Sequence, residues 1–296
     1  MAVARRTKSK YVVDAPRPVG DLRSFIDRLS HGGQSGSVLI GFDFPIGVPL
    51  AYARGAGICS FRAFLTELGR GKWPRFYDLA AKASDIGIAR PFYPARPGGT
   101  SQADLVAGLG VMRMEDLLRV CERKTAHRGH ACPLFWTLGG KQVGRAAITG
   151  WREILVPGIA RFGDAIALWP FDGNVAELVA NRKIVFAETY PAEACVHLGM
   201  TAPGRGWSKR IHAHRLARKT RIVAYARQLG VTLTRALQDS IADGFGTGKD
   251  GEDRFDCVAG VLSMLSVVEG MRAEGTPDSP EVKNIEGWIF GQQSGG

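Results

Sequence analysis

The sequence predicts an α/β fold. Two short apolar runs have strand character, Val38–Phe42 and Lys183–Tyr190, and other stretches space their apolar residues as a helix does, at 21–29 and 252–269. A third observation ties these elements together. Four carboxylates, Asp43, Glu188, Asp253 and Asp256, stand where an apolar run leaves a buried element for the surface.

Taken in order, Ala-Val-Ala and Tyr-Val-Val flank the basic turn Thr7-Lys-Ser-Lys10, so strands are expected at about 2–6 and 10–14. Leu22, Phe25, Ile26 and Leu29 share one helical face, and the glycine-rich segment 31–36 stops that helix. Val38–Phe42 follows as a buried strand, ended by Pro45 and Pro49. Residues 58–180 alternate helical patches with Gly/Pro-rich loops and read as a helical insertion, about 60–180, on a single domain spanning 1–296. A long basic helix is expected over Ser208–Leu229. The apolar stripe 255, 258, 261, 262, 265 and 268 predicts a helix over Glu252–Glu269, and Glu286-Gly-Trp-Ile-Phe290 reads as a C-terminal apolar anchor.

Composition bounds the function. With 296 residues, 45% of them hydrophobic and 23% charged, the chain can bury a core without cross-links. No apolar run approaches the roughly 18 to 20 residues of a membrane span, and the N-terminus lacks a secretory apolar core. Five scattered cysteines fit reduced thiols in a cytoplasmic protein. The net charge of +11 favours a polyanionic partner, nucleic acid being the commonest, although an arginine-rich proteome gives the same sign. The stretch 201–230 carries eight Lys and Arg and no acid. Lys209, Arg210, Arg215, Arg218 and Lys219 lie at spacings that bring several onto one helical face, which fits either a phosphate backbone or plain solvent.

The four acids fit a hard divalent cation, Mg2+ or Mn2+, which prefers oxygen ligands. Each also has a structural reading: Asp253 and Asp256 favour a helix N-terminus, Asp43 precedes a turn, and Glu188 can pair with an arginine. Cys121, His127, His130 and Cys132 do not follow a familiar zinc spacing and read as a polar connection. Arg70–Tyr77 and Arg90–Arg96 interleave basic and aromatic residues, as single-strand binding or ordinary ring packing would. Gly244-Phe-Gly-Thr-Gly-Lys249 lacks the full phosphate-loop spacing and reads as a flexible turn.

Phe42-Asp43-Phe-Pro-Ile-Gly-Val-Pro49, Ala187-Glu188-Thr-Tyr-Pro191, Asp243-Gly-Phe-Gly246 with Glu252-Asp253-Arg-Phe-Asp256, and Glu286-Gly-Trp-Ile289 resemble, in that order, the signatures of domain of unknown function 429. The likeness to this bacterial and archaeal family spans most of the chain and is loose over 60–180. It implies a ribonuclease H-like mixed sheet flanked by helices, with Asp43, Glu188, Asp253 and Asp256 as catalytic metal ligands and Lys209 or Lys249 neutralising charge. It also implies an opening strand bearing a further Asp, which is expected upstream of Met1 or lost. The resulting expectation is a metal-dependent nuclease, with a non-catalytic nucleic-acid-binding or regulatory module on the same fold as the alternative.

Overall fold

The computed structural model describes all residues except 9, 23, 32–35, 98–100, 139–141, 182–183 and 295–296. The glycine-rich stop expected at 31–36 and the first residue of the strand expected at 183–190 therefore fall partly outside the described residues. The strands are β1 (Ala4–Thr7), β2 (Lys10–Val13), β3 (Val38–Phe42), β4 (Ile166–Leu168), β5 (Ile184–Glu188) and β6 (Thr232–Leu233). Together with the helices they make the chain α/β. They form two three-stranded sheets where one mixed sheet was expected.

One compact unit comprises Met1–Gly20, Ala126–Arg128 and Thr189–Glu274. Its sheet has the order β1-β2-β6, with β1 antiparallel to β2 and β6 parallel to it. Thr234 caps the next helix, Arg235–Ala242, by accepting from Leu237 N at 3.4 Å. The helix Gly251–Val268 buries Phe255, Val258, Leu262 and Leu265 of the expected stripe against a core that includes Val13, Ile222 and Phe245. Burying each such side chain stabilises by roughly 1.5–3 kcal/mol.

The basic stretch expected as one helix is two, His212–Leu216 and Lys219–Gln228, preceded by a turn that carries Lys209 and Arg210. The first of the two helices carries an inward-turned arginine. Arg215 turns inward, 2% exposed, and its guanidinium donates to the carbonyls of Lys209 (2.5 Å), Gly244 (3.0 Å) and Gly246 (2.5 Å). Gly244, Phe245 and Gly246 all take positive φ, which aims those two glycine carbonyls at the arginine. The segment expected to be a flexible turn is thus an ordered seat for Arg215.

The other unit comprises Asp21–Thr125, Gly129–Glu188 and Gly275–Gly296. Its sheet is all parallel, in the order β3-β5-β4, with Phe42 in register with Glu188. Every residue of the central β5 is buried, as expected of a strand covered on both faces. β4 lies inside the stretch read as helical. Its three residues, Ile-Ala-Leu, are too few to show a strand period in the sequence. The anchor Trp288, Ile289 and Phe290 is buried, and Phe290 N donates to Glu188 O at 2.9 Å. Rings from the two basic-aromatic loops fill the core: Trp73, Phe76, Phe92 and Tyr93 are at most 1% exposed, so packing, not base stacking, explains them.

Candidate nucleic-acid interface and acidic residues

The acids do not all stand as a cation site would require. Glu188, at the end of β5, is 4% exposed. Its Oε1 accepts from Arg119 Nη2 at 2.6 Å, and its Oε2 accepts from Arg119 Nη1 and Ile46 N, each at 2.7 Å. Arg119 is fully buried and also donates to Glu122 Oε1 and to the Glu286 carbonyl. Glu286 in turn accepts from the backbone N–H groups of Leu50 and Val120. Burial pushes the Glu188 carboxyl up and Arg119 pulls it back. Burial also works against the Arg119 charge, but Cys121 and the carboxylates of Glu122 and Glu188 outweigh it. As a metal ligand, Glu188 would leave a buried guanidinium short of its partner, so this residue does not fit that role here.

Asp43 is exposed, one residue beyond β3. In the other unit, Asp253 is exposed in the first turn of the helix Gly251–Val268. One turn further on, Asp256 pairs through Oδ2 with Lys209 Nζ. Its Oδ1 is buried with no hydrogen-bond partner. Burial pushes Asp256 up to about 6 against the pull of Lys209, with Glu252 and Asp253 adding to the rise. Among the described residues no group of three or more His, Cys, Asp or Glu side chains is assembled to hold a metal ion. In the cysteine-histidine segment, His130 Nδ1 accepts from Lys124 N, and Cys121 is buried.

The expected basic residues separate into three kinds. Arg215 is removed from any outer face, because its side chain is buried and each guanidinium nitrogen donates to a backbone carbonyl. Arg218 is half-buried and lies 4.2 Å over the Trp207 ring. Arg210 and Lys219 are exposed, as are Arg205, Arg227 and Lys249, while Lys209 is largely covered. The unit holding all of them carries 18 Lys and Arg against 10 Asp and Glu, which is +8 of the chain's +11.

Sequence reading missed two buried networks. Arg119 with Glu122 and Glu286 is one; only the three-residue spacing of the first pair hints at it. The other joins Arg128, Glu193, His197 and Ser263. Arg128 Nε donates to Glu193 Oε2 at 2.8 Å, and His197 Nδ1 lies 2.6 Å from Ser263 Oγ. His197 Nε2 is 3.4 Å from Glu193 Oε1. The triad-like order of Ser, His and Glu is buried, and it ties the helix Pro191–His197 to the helix Gly251–Val268. No helix among the described residues is long and apolar enough to cross a membrane. Comparison with family models, curated proteins and solved structures gave no match.

Proposed function

We propose that this protein binds nucleic acid, chiefly through phosphate contacts made by the unit that contains residues 189–274. The observation that carries this reading is the concentration of +8 on that unit, with Arg205, Arg210, Lys219 and Arg227 exposed along an acid-free segment. Cations on such a surface displace the counterions condensed on a polyanion, so binding weakens steeply with salt. The test is the affinity for labelled DNA and RNA, single- and double-stranded, across a salt series. A flat dependence of log K on log salt would remove the proposal.

A second reading, hydrolysis of phosphodiesters with Mg2+ or Mn2+ on a ribonuclease H-like fold, rests on the motif resemblance and on one structural feature. Asp256 presents a buried oxygen without a hydrogen-bond partner, one turn from the exposed Asp253. Against it stands Glu188, whose oxygens are engaged by Arg119 and Ile46. Incubating labelled substrates with Mg2+, Mn2+ or EDTA separates the two readings. Metal-dependent cleavage that disappears in Asp253→Asn or Asp256→Asn would favour hydrolysis, and binding without cleavage would favour the first reading.

A further inference from the structure

Two cations of the proposed binding surface are already engaged by carboxylates of the same unit. Lys209 Nζ bonds Asp256 Oδ2 and lies 3.9 Å from Glu252 Oε1. Arg210 Nε lies 3.5 Å from Glu252 Oε2. The partners come from different elements, a turn before the helix His212–Leu216 and the first turns of the helix Gly251–Val268.

Their juxtaposition is held by backbone. Arg215 grips the Lys209 carbonyl with one nitrogen and the Gly244 and Gly246 carbonyls with two others, so the basic turn is tied to the loop that starts the acidic helix. Ser208 N donates to His214 Nδ1 at 3.0 Å, which fixes the turn from its other side. At Gly251 a Cβ would sit 2.4 Å from Arg215 Nη2, so the helix begins with the residue that leaves this room. Surface ion pairs reached by long, free side chains contribute little. Here both ends are positioned in advance, and the Lys209 and Asp256 side chains are each only 15% exposed.

We propose that Lys209 and Arg210 form a phosphate-contact site gated by Glu252 and Asp256, so that nucleic acid must displace the protein's own carboxylates to use them. This rests on the nucleic-acid-binding reading above. The exposed Arg210 side chain, 68% accessible, is the first point of exchange, and the Lys209 pair opens second.

The experiment compares the wild type with Glu252→Gln/Asp256→Asn for binding to a fluorescently labelled DNA duplex over a salt series. A second double variant, Asp243→Asn/Glu269→Gln, makes the same change in net charge elsewhere on the unit, at carboxylates that hold no cation in an ion pair among the described residues. Releasing two cations steepens the slope of log K against log salt by about 1.8, at roughly 0.9 per phosphate contact, and tightens binding roughly tenfold at low salt. The control variant leaves the slope unchanged. Should the gated positions prove necessary for folding, Glu252→Gln alone removes the Glu252 contact of Arg210 and steepens the slope by about 0.9. Wild-type binding with the same slope in all variants overturns the gate and leaves the binding surface standing. No binding by the wild type or any variant overturns both. Binding by the released variant alone supports the gate.

Discussion

Arg119 clasps Glu188 at two points, with Nη2 to Oε1 at 2.6 Å and Nη1 to Oε2 at 2.7 Å, and both side chains are almost wholly out of water. The pair joins residues 69 apart in the chain. Through the carbonyls of Ile46 and Glu286 the same guanidinium fastens the loop after β3 and the C-terminal segment to the end of the central strand. Removing one partner of such a pair leaves the other as an uncompensated buried charge, which costs far more than the pair itself contributes.

Arg119→Ala is accordingly expected to destabilise its unit by about 3–5 kcal/mol. Glu188→Gln should lose less, because Glu122 still faces the guanidinium. Tryptophan fluorescence during chemical denaturation suits the measurement, since Trp73, Trp136, Trp151, Trp169 and Trp288 all belong to this unit. A loss below about 1 kcal/mol for Arg119→Ala would mean that the clasp is incidental.

Much of this fold was legible in the sequence, and the limits are physical. Val38–Phe42 and the helix after Gly251 stand out because their apolar residues keep one period over several positions. The direction of an arginine does not show in that way. Arg215, inside a run of cations, reads as part of a basic face, yet it is drawn inward by carbonyls supplied from 244 and 246. Likewise the letters around Glu188 allow a metal or an arginine, and the choice depends on a residue in a distant turn. A site made of such long-range pairs is less visible from sequence than the elements that carry it.

The enclosed Glu193–His197 pair predicts a specific acid sensitivity. Burial holds His197 below its ordinary 6.5, with Arg272 adding to the effect and Glu193 opposing it. Burial alone would raise Glu193, but His197 beside it and the bond from Arg128 outweigh it and hold its pKa below the ordinary value. A histidine with a lowered folded pKa binds its proton more tightly once unfolded. Stability therefore falls as pH drops below 6.5, by up to about 1.4 kcal/mol per pH unit. Glu193 adds a second loss as pH falls through 4.5 toward its folded value. Unfolding of the wild type and His197→Gln, compared between pH 7 and 4, should show the difference converging as pH falls from 6.5. Parallel profiles would refute this assignment.

Gly251 offers a test in which local propensity and packing point in opposite directions. Alanine is normally better than glycine in a helix by about 1 kcal/mol. Here the added Cβ would lie 2.4 Å from Arg215 Nη2 and 2.9 Å from Gly246 O. Gly251→Ala is expected to destabilise by about 1–3 kcal/mol, the range for overpacking a well-filled site. An increase in melting temperature would show that the arginine seat adapts.

The two inner and outer classes of arginine separate by assay as well. Arg215→Ala removes donors from three largely covered carbonyls and should lower stability by about 2 kcal/mol or more, while the remaining exposed cations keep the salt slope of nucleic-acid binding nearly intact. Lys219→Ala with Arg227→Ala should do the reverse. Neither residue is buried, so the melting temperature stays within a few degrees, and the slope for duplex DNA flattens by up to about 1.8. Measuring both quantities on both variants is decisive because the sequence groups all three residues together. If Arg215→Ala flattened the slope at unchanged stability, the buried arginine would have to turn outward in the complex. The carbonyls of Lys209, Gly244 and Gly246 would then need new donors, and the basic turn would have to rebuild around the bound phosphate.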